Sequence, residues 1–268
     1  MSLIVKPSTV GVDDAVVRFG LAPEAGSVYR QRRPAGSARQ VDAVWRQRVV
    51  GDYSQLVLPD GAADVIVDQD GRAVLVGPTS APQRVILPGG SSYRGLRLRP
   101  GAVGSVLGLG ADTLRDLTVD LDDVVGRRAA RLLTAAAAGD GGAWQALNVE
   151  LAEVDVDWRV DAAVRMLGAR RQVSVAEVAV EVGMSDRQLR RLFHRHAGLG
   201  PKTVQRIQRL HRFLDLAERR PGRGEVVALG VLCVEVGYSD QPHLNREVAT
   251  LTGHSPADLL AVRRAASE

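Results

Sequence analysis

The first hundred residues alternate short apolar runs with turn-forming residues. Between the runs stand Pro59-Asp60-Gly61, Gly77-Pro78 and Pro88-Gly89-Gly90, which favour turns. Short runs rich in β-branched residues predict strands. The predicted strands are Val41–Val50, Tyr53–Leu58, Asp64–Asp68, Ala73–Gly77, Arg84–Leu87 and Tyr93–Leu98. Strands at this spacing are typical of a small barrel or sandwich.

From Pro100 onward, apolar residues recur at helical spacing. They predict helices over Gly126–Ala138 and Ala143–Val154, with Asp140-Gly141-Gly142 as the break between them. Beyond a domain boundary near 155–161 the pattern is helical throughout, and Pro221–Gly224 is the one connection long enough to resemble a hinge. The predicted helices there are Trp158–Arg170, Val175–Val182, Asp186–Ala197, Pro201–Arg219, Val226–Val236, Gln241–Thr250 and Pro256–Ala266.

The strand pattern of the first part and the helical spacing of the second predict an α+β chain of two domains. Residues 1–157 are expected to form a β-rich, barrel- or sandwich-like domain with trailing helices. Residues 158–268 are expected to form an all-α domain. The length of 268 residues agrees with two domains of ordinary size.

Charge is divided unevenly between these parts. The net charge is +4, but residues 160–268 carry +5 and residues 1–159 carry −1. Only Lys6 and Lys202 are lysines, so nearly every basic residue is an arginine, whose planar fork suits phosphates and guanine edges. A basic half attached to a neutral half favours a polyanionic partner.

The helical half contains an internal repeat. Val173–Ser185 aligns with Val227–Ser239 at a shift of 54, and after one extra residue Gly198 and Pro201 align with Gly253 and Pro256. Each copy reads as a helix, a glycine turn and a second helix. Ala179 and Cys233 occupy the crossing point, where a small side chain fits. Gly183 permits the sharp turn, so each copy predicts a helix-turn-helix unit.

The second helix of the first copy has two contrasting faces. Leu189, Leu192, Phe193 and His196 share the face that packs inward. The opposite face, in the position that enters the major groove, is basic. We therefore predict DNA contacts along this helix, from Ser185, Arg187, Gln188, Arg190, Arg191, His194 and Arg195.

The second copy is less basic. Gln241, Asn245 and Arg246 are expected to point outward, where Gln and Asn can pair with adenine and Arg246 can meet a phosphate. Pro242 falls in the first helical turn, where its missing N–H costs nothing. We expect this unit to discriminate between bases less than the first unit does.

Residues 177–201 and 229–256 closely resemble the DNA-binding domain of AraC/XylS-type bacterial transcription regulators. The resemblance implies seven helices that place two recognition helices in successive major-groove segments of double-stranded DNA. This sequence differs from the family pattern at Val248, where the family usually has an aromatic residue followed by basic ones. The difference implies weaker phosphate contacts by the second unit. Residues 56–67, 93–108 and 117–126 resemble an uncharacterised N-terminal domain of some of these regulators. By analogy that domain senses an effector, dimerises, or both.

No uncharged run approaches the roughly 18 residues that a membrane span needs, and the N-terminus lacks the hydrophobic segment of a signal peptide, so we expect a cytoplasmic protein. The resemblance implies a transcription regulator that is not an enzyme. A small-molecule effector, RNA polymerase and a second copy of the chain are left open as partners, and no membrane is expected. All five histidines lie after residue 158 and Cys233 stands alone, so we expect no catalytic residue, metal site or cofactor. Two alternatives remain, an enzyme in the first half or a pure dimerisation unit there.

Two further expectations concern packing. Cys233 is expected to be buried rather than reactive. Trp45, Tyr53 and Tyr93 are candidates for lining an effector pocket, but core packing is the stronger expectation.

Overall fold

The first half is built on strands. A computed structural model describes residues 16–19, 27–169, 173–218 and 229–265. The six predicted strands are confirmed within a few residues, whereas β1, β2 and β9 lie outside the predicted runs. The strands are β1 (Val16–Phe19), β2 (Ser27–Arg32), β3 (Val41–Val49), β4 (Tyr53–Val57), β5 (Ala63–Asp68), β6 (Ala73–Val76), β7 (Gln83–Leu87), β8 (Ser92–Leu98) and β9 (Thr118–Asp120).

These strands form two antiparallel sheets. The larger has the order β1-β2-β3-β8-β5-β6-β9, and β4 pairs with β7 in a two-stranded sheet. Side chains from both sheets, among them Trp45, Ile66 and Leu87, form one core between them. The N-terminal half is therefore sandwich-like, as predicted.

The other face of the large sheet carries helices α1 (Val103–Leu107), α2 (Arg127–Ala138) and α3 (Gly141–Ala152). The predicted break at Asp140-Gly141-Gly142 is wrong in its placement. Gly139 ends α2 at φ 97°, and the Asp140 side chain accepts a hydrogen bond from the Ala143 amide at 2.8 Å. This cap lets α3 begin at Gly141 rather than at Ala143.

Helices are the only regular secondary structure among the described residues from Trp158 onward. They are α4 (Trp158–Leu167), α5 (Val175–Glu181), α6 (Asp186–Ala197), α7 (Pro201–Glu218), α8 (Leu229–Val236), α9 (Gln241–Thr252) and α10 (Pro256–Ala265). The α+β class and the all-α second half are thus confirmed. The predicted hinge Pro221–Gly224 and the start of the predicted helix at Val226 lie outside the described residues.

The helical half has one core, and α7 runs through it with Leu210, Phe213 and Leu214 fully buried. Leu58, from the loop after β4, joins this core. Within the described ranges, no helix combines the length and the apolar composition that a membrane span needs.

Candidate nucleic-acid interface

The internal repeat folds as two copies of one unit. In the first, α5 and α6 meet at Gly183, whose φ is 69°; in the second, α8 and α9 meet at Gly237, whose φ is 83°. Both values lie in the left-handed region that glycine adopts without strain. At the crossing point of each pair, Ala179 and Cys233 are buried at 2% and 4% exposure. Each copy is therefore a helix-turn-helix with a small residue where its helices cross.

The N-terminus of α6 is held by a reciprocal cap. The Ser185 hydroxyl accepts from the Gln188 amide at 3.3 Å, and the Gln188 side-chain oxygen accepts from the Ser185 amide at 2.9 Å. These bonds satisfy amides that the first turn leaves unpaired. Ser185 and Gln188, both predicted DNA contacts, are exposed, but their side chains are engaged with each other in this structure.

The rotation of α6 is set by Leu189 and Phe193, which are fully buried. The opposite face is therefore turned to solvent, and the predicted arginines on it are all exposed. They are Arg187, Arg190, Arg191 and Arg195, with His194 half-buried beside them. Arg190 alone among them has an acidic partner in the described chain, Asp186, one turn earlier at 2.8 Å. An exposed i,i+4 pair of this kind is weak, so an incoming anion can compete for Arg190.

The second recognition helix, α9, also turns its predicted contacts outward. Gln241, Asn245 and Arg246 are exposed, while Leu244 and Val248 are fully buried. Asp240 caps the helix by accepting from the His243 amide at 2.6 Å. Pro242 lies in the first turn, as expected.

The inward face of α9 carries one acidic residue that the sequence reasoning missed. Glu247 is only 6% exposed, and its carboxylate lies 3.2 Å from Arg206 Nε and 3.7 Å from Arg209 Nε, both on α7. Arg209 also lies over the Tyr238 ring, 5.1 Å from its centroid. Glu247 therefore ties the second unit to the helix that joins both units. The sequence does indicate this burial, because Glu247 stands three residues after Leu244 and therefore on the apolar face of the helix.

Residues 178–261, from α5 to α10, match a family model described as a helix-turn-helix domain. These residues form an AraC-type helix-turn-helix domain. Such a domain is the DNA-binding unit of a transcription regulator and points away from an enzyme. Residues 37–120, from β3 to β9, match a family model described as a domain of unknown function, DUF6597.

Similar solved structures include ToxT from Vibrio cholerae O395, with a TM-score of 0.41 and 10% identity over 93% of this chain and 97% of that one. Another is unsaturated fatty acid bound wild-type ToxT from Vibrio cholerae strain SCE256. Its TM-score is 0.40, with 12% identity over 96% of this chain and 98% of that one. No curated protein matches the chain.

The AraC-type domain is docked on the first half at the C-terminal end of α6. A Cβ atom added to Gly104 of α1 would lie 2.1 Å from the Arg195 carbonyl oxygen, so only glycine allows this approach. Ser105 Oγ lies 3.2 Å from His196 Nδ1. Burial and the neighbouring Arg195 lower the pKa of His196, against the opposing effect of Asp157. The docked surface thus lies at the last turn of α6, while Arg187 and Arg191 nearer its N-terminus stay exposed.

A second contact joins α7 to the loop after β4. His211 Nε2 lies 2.8 Å from the Pro59 carbonyl oxygen, which can only accept, so Nε2 carries the proton. Burial lowers the pKa of His211. His196 and His211 therefore both take part in the contact between the AraC-type domain and the first half.

Three of the remaining candidates, Cys233, Trp45 and Tyr93, are buried. Cys233 packs in the helical core as expected, and burial raises the pKa of its thiol. Trp45 and Tyr93 are 3% and 7% exposed in the core between the sheets, whereas the side chain of Tyr53 lies outside the described part. The described residues contain no group of His, Cys, Asp and Glu arranged to hold a metal ion.

Proposed function

We propose that this chain is a sequence-specific transcription regulator that inserts α6 and α9 into successive major-groove segments of one DNA duplex. The N-terminal half, proposed as residues 1–157, regulates the AraC-type domain, proposed as residues 158–268. The observation that carries this proposal is the solvent-facing arginine row on the second helix of a helix-turn-helix unit.

Residues at different positions along α6 are assigned different DNA contacts, with bases at its N-terminal turns and phosphates further along. Arg187, Arg190 and Arg191 occupy the first two turns, the part of a recognition helix that reaches base edges. Their guanidinium forks match the O6 and N7 acceptors of guanine. His194 and Arg195 lie a turn later, where contacts with phosphates hold the helix in register. Ser185 and Gln188 act at the N-terminus, exchanging their mutual hydrogen bonds for bonds to DNA.

The second helix makes fewer charged contacts. Gln241 and Asn245 offer amide groups that can pair with adenine, and Arg246 is the basic residue beside them. Ala249 and Thr250, which follow on the exposed side, add no charge. We therefore assign stronger discrimination between bases to α6 than to α9.

Regulation is proposed to pass through the contact between the halves. Ser105 and Gly104 touch the last turn of α6, so any movement of α1 displaces the helix that reads DNA. The ion pairs of Asp161 on α4 with Arg99 and Arg39 of the first half lie in the same interface, the former at 2.6 Å. A small-molecule effector, a second copy of the chain and RNA polymerase are partners that this arrangement admits and that remain predictions.

Selection from random-sequence DNA duplexes tests the proposal. The full chain, incubated at moderate salt, is expected to enrich a motif with two parts about one helical turn, or 10–10.5 base pairs, apart. Binding should weaken steeply with salt, because each phosphate contact releases counterions. Retention of duplexes without any enriched sequence would show a nonspecific DNA-binding protein and contradict the proposal.

A further inference from the structure

Three arginines stand side by side across the large sheet. Arg30 of β2 is directly opposite Arg46 of β3, and Arg46 is directly opposite Arg94 of β8. Neighbouring strands lie about 4.8 Å apart, so this row spans about 10 Å. All three side chains are exposed on the face that α2 and α3 only partly cover. Like charges directly opposite each other destabilise a sheet, so the stability of the fold does not explain why three arginines stand in this row.

The row forms the floor of a cleft of about 680 Å³. One wall is the turn between α2 and α3, and the half-buried ring of Trp144 lies on that side. Arg32, two residues after Arg30 and on the same face, adds a fourth guanidinium. The volume lies in the range of small-molecule sites.

Charge in the cleft is unbalanced. Its one acidic lining residue, Asp140, already caps α3 by accepting from Ala143. Arg94 donates to the Ala138 carbonyl at the end of α2. In the part of the chain that the structure describes, no carboxylate pairs with Arg30, Arg32 or Arg46.

A structural arginine on the inner face of the same sheet provides a comparison for the arginines of the cleft. Arg97, three residues after Arg94 and therefore on the other face, is fully buried directly opposite Asp64. Its Nε lies 3.1 Å from Asp64, and Asp60 lies 3.5 Å from its Nη2. Burial of a guanidinium is matched there by two carboxylates, whereas in the described part of the cleft Arg30, Arg32 and Arg46 have no carboxylate partner and Arg94 has only a backbone carbonyl.

We infer that this cleft binds a small molecule carrying two or more carboxylate or phosphate groups. Guanidinium forks pair bidentately with both kinds of group, and a row about 10 Å long serves at least two of them. The Trp144 ring supplies an apolar wall for the ligand's carbon frame. Use of this site as the switch of transcription rests on the proposed function, but binding itself does not.

Citrate and pyrophosphate serve as probes, with acetate and chloride at matched ionic strength as references. The full chain is used with Trp158→Phe, which removes the exposed tryptophan and leaves Trp144 and Trp45 to report. At least one of the two polyanions is expected to change the fluorescence saturably at millimolar concentration or below. Arg30→Gln and Arg46→Gln are each expected to weaken this binding about tenfold.

Arg84→Gln is the matched control, because Arg84 is an exposed strand arginine on the two-stranded sheet, away from the cleft. It should leave binding unchanged. The two cleft variants should keep or raise the thermal midpoint of the free protein, because each removes like-charge repulsion. These measurements contain no DNA, so their failure is distinct from a failure of the proposed function.

Three results would overturn the inference. The first is the absence of a saturable response to either polyanion at millimolar concentration. The second is equal weakening by Arg84→Gln, which would show nonspecific attraction. The third is a loss of DNA affinity in Arg46→Gln without any polyanion response, which would make the row a DNA contact.

Discussion

Ser105 Oγ lies 3.2 Å from His196 Nδ1, so a hydroxyl of the first half touches the last turn of the helix proposed to read DNA. One residue earlier, Gly104 brings α1 against the Arg195 carbonyl oxygen. The two contacts are adjacent in both chain segments. Together they make the end of α6 part of the interface between the halves, while its N-terminal turns face solvent.

Gly104→Ala is expected to destabilise the protein by about 2 kcal/mol. The added Cβ would lie 2.1 Å from the Arg195 oxygen, and the strain of overpacking exceeds the gain in helix propensity. Urea unfolding followed by circular dichroism measures the change. Gly141→Ala in the first turn of α3, where a Cβ meets nothing within 4 Å, is the control. Equal stability of the two variants would contradict the close approach.

The sequence predicts elements better than it predicts contacts between them. The six central strands and the helices after Trp158 carry clear periodicity and turn residues, so their ranges are close to those found. β2 was missed because Arg30 and Arg32 alternate with Tyr29 and Gln31, which lowers its apolar content. β9 has only three residues, too few to show a period.

For the candidate site, the sequence predicts which side chains are exposed, but it does not predict the contacts between distant segments. The outward position of Arg187 and Arg191 follows from helical spacing, because Leu189 and Phe193 must face the core. Strand register, in contrast, brings Arg30 opposite Arg46, and no local pattern specifies that pairing. The docking of Gly104 on α6 likewise depends on packing between distant segments.

Glu247→Ala is expected to lower the free energy of unfolding by about 3 kcal/mol. It would leave Arg209, 3% exposed, as a buried charge without its carboxylate, and removing one partner of a buried pair is costly. Chemical denaturation measures the loss. Arg246→Ala is the neighbouring control, since Arg246 is exposed, and it should leave stability within about 0.5 kcal/mol. A loss below 1 kcal/mol in Glu247→Ala would contradict the clamp between α9 and α7.

His211 predicts a pH dependence of stability. Burial lowers its pKa in the folded protein, so below about pH 6.5 the unfolded chain binds a proton that the folded chain does not. Stability is therefore fully present above that pH and falls as the pH drops. His211→Gln keeps a donor for the Pro59 carbonyl and cannot titrate. Thermal midpoints from about pH 7.5 to about 5.5 should fall less in this variant than in the natural chain; parallel curves would contradict the assignment.

The most direct test of the central claim is equilibrium DNA binding by Arg191→Ala. On the selected duplex, this variant is expected to lose about 1–3 kcal/mol of binding free energy and to discriminate less at one base pair. Arg84→Ala, which removes an exposed arginine of β7 rather than of a recognition helix, should bind as the natural chain does. If Arg191→Ala binds the selected duplex and its single-base variants with the affinities of the natural chain, α6 does not read the sequence and the account is contradicted.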